Sequence, residues 1–174
     1  MGYLPLDKVG VSWAGPLGDA GLWGELAYNR PDRNFYSDAV LSLAGYIPEN
    51  LRPSEKEYVT GILGIDYFFA NGVYANMKYV HGLPQEFTEP MVRDYLTLNA
   101  YQTYKSDMLK VEGSAIVCLD DGSFALIPEV TYKLNDNLTF SVKGIRFFGD
   151  EDGAESLAFM KSLSEVRVGV TLAI

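Results

Sequence analysis

His81 is the one histidine of the chain and Cys118 its one cysteine. A catalytic imidazole needs a nucleophile and an orienting group beside it. Ser106, Ser114 and Ser123 supply hydroxyls, but no nucleophile-elbow motif surrounds any of them, so His81 reads as a loop-tip residue. One cysteine excludes an intrachain disulfide and a thiolate cluster, and one histidine excludes a multi-histidine metal site. Cys118 is flanked by Asp120 and Asp121, the opposite of the electropositive surroundings that activate a thiol. Asp150-Glu151-Asp152-Gly153 offers oxygen ligands without the spacing of a calcium loop, and reads as a solvated acidic loop. No cofactor and no metal are expected.

Polar residues at a regular spacing carry more information. Glu25, Asp66, Asn76, Lys78, Lys110, Glu112, Glu129, Thr131, Lys133, Ser141, Lys143, Glu165 and Arg167 each oppose apolar residues on a segment of alternating character. Side chains on a strand point to opposite faces in turn, so these thirteen are expected on a common polar face. Their mixed signs imply cross-strand ion pairs. Such a face either fills a polar interior or solvated sheet surface, or lines a pore and tunes solute passage, as charged rings do in channels.

The elements that must position them are strands. From Glu165 to Ile174, Val166, Val168, Val170, Leu172 and Ile174 alternate with Glu165, Arg167, Gly169, Thr171 and Ala173, a period of two that no helix face accommodates. Asn71-Gly72 is a hairpin signal, because both residues tolerate positive φ. The alternation predicts strands at 8–14, 21–29, 57–70, 73–81, 94–104, 108–119, 123–134, 138–148 and 164–174. Short connections at 15–20, 71–72, 105–107 and 135–137 then fall at one end. Long ones at 30–56, 82–93 and 149–163 fall at the other, with 120–122 as the short exception. Ala39–Tyr46 is placed within the first long loop. Pro128, inside a central strand, is expected to mark a bulge, since it has no ladder donor.

Hydrophobic residues make up 48% of 174 residues at a mean hydropathy of zero, which suits a wall that alternates apolar and polar positions. The longest apolar run, Val59 to Ala70, is interrupted and falls short of the ~20 residues a membrane helix requires. The net charge of −9 argues against nucleic acid, whose phosphates need a basic patch. Aromatics gather near strand ends: Trp13, Tyr67, Tyr104 and Tyr132 toward the short turns, Tyr28, Tyr58, Tyr79 and Phe147 toward the long loops. Two such girdles are the pattern of headgroup-level rings in membrane barrels.

The stretch from Gly64 to Gly82, GIDYFFANGVYANMKYVHG, resembles a hairpin of large porin-like proteins of the bacterial outer membrane, and Pro128 to Leu138 resembles their penultimate hairpin. The likeness extends over roughly Gly21 to the C-terminus and rests on turn and girdle chemistry. It implies an all-β, antiparallel up-and-down meander of nine to ten strands in a transmembrane barrel, incomplete and open here. It also implies lipid and the outer-membrane assembly machinery as partners, with small solutes passing through. One departure is the terminal Ile174, where many such barrels carry an aromatic that the assembly machinery reads. Nine strands is odd for a bacterial barrel, and residues 1–30 hold no secretory signal pattern. The chain is therefore expected to be the C-terminal portion of a larger barrel, forming one domain over 1–174. Three functions are carried forward: a porin-like barrel for passive passage or a structural wall; a soluble or secreted β-barrel or sandwich binding an apolar ligand; and an outer-membrane hydrolase.

Overall fold

A computed structural model of the chain describes residues 6–31, 56–83, 92–149, 157 and 162–172. Ala39–Tyr46, Asp150–Gly153 and Ile174 lie outside these. Nine strands follow one another: β1 (Leu6–Leu17), β2 (Ala20–Pro31), β3 (Tyr58–Phe68), β4 (Val73–His81), β5 (Asp94–Tyr104), β6 (Leu109–Cys118), β7 (Phe124–Asn135), β8 (Leu138–Phe148) and β9 (Glu165–Leu172). They form a single antiparallel sheet in sequence order, an up-and-down meander that is open, with β1 and β9 at its edges. No α-helix occurs among the described residues.

Local chemistry sets the turns. Gly18, at φ +63°, lets β1 and β2 meet through Gly18-Asp19 alone, so both strands run further than the alternation implies. The β3–β4 turn, by contrast, is wider than Asn71-Gly72. Phe69 N–H donates to Val73 O at 2.8 Å and Gly72 N–H to Phe69 O at 2.9 Å, with Gly72 at φ +85°. The β5–β6 turn has no glycine: Lys105, Ser106 and Asp107 stand at φ +53°, +54° and +66°, a region that costs residues with a Cβ roughly 1–2 kcal/mol each.

Pro128 makes no bulge. The β7–β8 register is the same on both sides of it, running from Leu126↔Arg146 to Glu129↔Lys143. Its ring is accommodated by glycine instead. A Cβ on Gly144 of β8 would come within 3.3 Å of the Pro128 Cγ, whereas one on Gly113, the partner of Pro128 on β6, would meet nothing within 4 Å. The irregularity in this pair of strands lies between Lys133 and Asn135.

Cross-strand partners share a face, so the register sorts every side chain. One face carries Val9, Val11, Trp13, Leu26, Leu63, Met77, Leu98, Leu126, Phe140, the three valines 166, 168 and 170, and their row mates. One row on it reads Val111, Val130, Val142, Val168 across four strands. This apolar face is largely uncovered: Val9 is 73% exposed, Val166 74% and Val168 76%. The buried core sits on the other face, at the long-loop end. There Val80, Tyr95 and Cys118 form one cluster with Leu83, and Ala125, Phe147 and Leu157 form a second.

Candidate functional site: the ionic face

The thirteen polar residues singled out by spacing all lie on the face opposite the valines, in staggered cross-strand rows. Asp66, Asn76, Asn99 and Ser114 make one row. Glu112, Glu129, Lys143 and Arg167 make another. Lys110, Thr131 and Ser141 make a third. Glu25 pairs with Ile62, Lys78 with Gly64 and Thr97, Lys133 with Thr139, and Glu165 with Ile145. All the remaining charged strand residues except Lys8 lie on the apolar face. These are Asp7, Arg30, His81, Asp94 and Arg146, each within three residues of the long-loop end of its strand.

On the β6–β9 side three ion pairs form, and Lys133 is the one ionic group there without a pair among the described residues. Lys110 Nζ lies 2.6 Å from Glu112 Oε2, Lys143 Nζ lies 3.4 Å from Glu129 Oε2, and Arg167 pairs with Glu165. Asn99 Nδ2 donates to Glu112 Oε1 at 2.7 Å and to Ser114 Oγ at 2.8 Å. Glu112 and Glu129 are direct neighbours across β6 and β7, as are Lys143 and Arg167 across β8 and β9. Like charges set opposite repel, and the pairs just named neutralise each of them.

The β1–β5 side differs. Glu25, Lys78 and Lys8 line a half-open cavity of about 560 Å³ together with Asn29, Thr60 and Thr97. Rings also stand on this face, outside the set of thirteen polar residues. Trp23 lies beneath Lys78, whose Nζ is 5.7 Å from the indole centroid. Tyr74 and Tyr101 lie 5.0 Å apart, and Lys110 Nζ is 4.5 Å above Tyr101. Their phase would have revealed them: Thr97, Asn99 and Tyr101 alternate with Leu96, Leu98 and Ala100.

Six of the eight aromatics expected at strand ends are on the apolar face: Trp13, Tyr28, Tyr67, Tyr79, Tyr104 and Tyr132. Tyr58 and Phe147 are not. Tyr58 pairs with Asn29, and Phe147 with Ala125. Both are buried on the ionic face, since they are out of phase with Val59 and with Phe148. Phe124 and Phe148, stacked at 4.5 Å, and Phe140 opposite Tyr132 occupy apolar-face ends instead.

His81 is the last residue of β4 rather than a loop tip. Its Nδ1 is 2.7 Å from Asp94 Oδ1, which also accepts from the Tyr79 hydroxyl at 2.6 Å. The pair closes the ends of the 82–93 connection, where Gly82 N–H donates to Arg93 O at 2.9 Å. The imidazole thus has an orienting carboxylate, but Ser106 is in the turn at the far end of the sheet and Ser114 is on the opposite face. Among the described residues no cluster of three or more His, Cys, Asp or Glu forms a metal site.

Comparison with family models, curated proteins and solved structures gives no match for this chain. The porin-like likeness of residues 64–82 and 128–138 therefore remains one of short hairpin motifs and establishes no family.

Proposed function

We propose that this chain is part of the wall of a transmembrane β-barrel of the bacterial outer membrane, with its valine face toward lipid and its ionic face toward a lumen that passes small solutes. One observation carries the reading: charge is confined to one face of a nine-stranded antiparallel sheet, except within three residues of the long-loop end. The strands have 8 to 12 residues, and at about 3.3 Å per residue, tilted by about 45°, one of average length crosses roughly 25 Å. That matches the apolar band of such barrels. Short turns at one end and long connections at the other fit the same architecture, as do rings near both ends of the apolar face.

A second reading draws on a groove of about 570 Å³ across the apolar face, floored by Ala75, Ala100 and Gly113 and walled by Ile65, Met77, Leu98 and Leu126. In a lipid-facing wall, acyl chains fill it. In a soluble sheet it would hold one apolar ligand. Partition separates the two. A membrane wall needs detergent or lipid to stay in solution and runs as a heat-modifiable band on unboiled gels. Full solubility without either would favour the soluble reading.

A further inference from the structure

The two halves of the ionic face treat charge differently. On β6–β9 every acidic residue has a basic partner within ion-pair distance. On β1–β4, Lys8, Glu25 and Lys78 form no ion pair among the described residues, although all three line the same cavity of about 560 Å³. Where β6–β9 pair their carboxylates, twice along a strand and once across β7 and β8, this half leaves two cations and one anion open around a recess.

The recess is also built rather than incidental. Asn29, 2% exposed, lies in its wall. Asn29 Nδ2 donates to Thr60 Oγ1 at 3.1 Å, and to Ala27 O and Tyr58 O at 3.4 Å. The bonds to Tyr58 and Thr60 join β2 to β3 beneath the cavity, and the Asn29 Oδ1 takes part in none of the three. Thr60 and Thr97 add hydroxyls, and Leu83 closes the loop side. Trp23 beneath Lys78 holds the ammonium on this side of the sheet, since Gly64 gives the indole room to lie across β3.

Two ammonium groups attract an anion, and a lone carboxylate beside them accepts a hydroxyl or an ammonium. We propose that this cavity is a binding site for a small organic anion, a carboxylate or phosphate ester that also bears hydroxyl or amino groups. Lys8 and Lys78 hold the anionic end and Glu25 the donor end. The proposal rests on the lumen reading above and gives that lumen its solute class.

Binding to the detergent-folded chain tests it, with gluconate and glucose 6-phosphate as probes and glucose as the neutral control. Both anions are expected to bind at least about tenfold more tightly than glucose, the scale of one or two charge-assisted hydrogen bonds. Lys8→Gln and Lys78→Gln should each weaken them about tenfold, Lys78→Arg should retain most of the affinity, and Lys143→Gln should change it less than about twofold. Should a lysine variant fail to fold, Glu25→Gln reads the same cavity with inorganic phosphate, which it should bind more tightly. Equal binding of glucose, equal loss in Lys143→Gln, weaker or unchanged phosphate binding in Glu25→Gln, or no anion binding at all by the folded chain each overturns the proposal. Vesicle partition of the same samples is read separately. Partition without anion binding removes the site and leaves the barrel reading, whereas anion binding without partition does the reverse.

Discussion

Trp23 lies across Gly64, so that a Cβ placed on that glycine would clash with the indole ring. On the opposite face Trp13 lies across Gly24 in the same way. The two tryptophans of the chain thus stand on opposite sides of one sheet, each over a glycine of the neighbouring strand.

Adding a side chain at either glycine forces a packed ring to move, and overpacking costs about 1–3 kcal/mol. Gly64→Val is therefore expected to lower stability by about 2 kcal/mol or more in urea unfolding from detergent. Gly113→Ala is the control: a Cβ there meets nothing within 4 Å, and the change should be neutral or stabilising by up to about 1 kcal/mol.

The three left-handed residues of the β5–β6 turn carry a conformational cost that glycine does not. Ser106→Gly should raise stability by about 1 kcal/mol, with the strand signal in circular dichroism unchanged. A loss of stability would show that the Ser106 side chain contributes more than its backbone costs.

Charge placed on the two faces should act unequally. Val130 lies in the row with Val111, Val142 and Val168, while Thr131, next in sequence, lies between Lys110 and Ser141. Val130→Arg is expected to cost about 2–4 kcal/mol of folding free energy in lipid, the scale for a basic residue facing lipid at mid-depth. Thr131→Arg should cost less than about 1 kcal/mol. Equal costs in lipid bilayers would show that Val130 does not face hydrocarbon.

Cys118 is fully buried against Val80 and Tyr95. A maleimide reagent should leave it unmodified in the folded chain and label it completely after unfolding, which provides a folding assay with one reporter.

Strand positions and faces were legible because a period of two is local: a residue's phase against its neighbours decides its side. Glu112 and Lys143 could be assigned from sequence for that reason. Phase also tells against Tyr58 and Phe147 as girdle residues, because parity, and not ring type or nearness to a strand end, decides the face. The seating of Pro128 is not legible in the same way, because it depends on Gly144, which lies on another strand. The strand pairing that places Gly144 beside it is not a local property. The contrast between paired and open charges on the ionic face has the same origin. Lys143, paired with Glu129, and Lys78, without an ion pair among the described residues, look alike until β3, β4, β7 and β8 are set in register. The His81–Asp94 contact joins the two ends of a connection whose closure the alternation does not specify.

Tryptophan quenching by lipids brominated on their acyl chains tests the two-faced wall most directly. Trp23→Phe leaves Trp13 as the sole emitter on the valine face, and Trp13→Phe leaves Trp23 on the ionic face. After folding into such bilayers, Trp13 emission should be strongly quenched and Trp23 emission nearly unaffected. Equal quenching of both, or strong quenching of Trp23 alone, would contradict the assignment of the valine face to lipid.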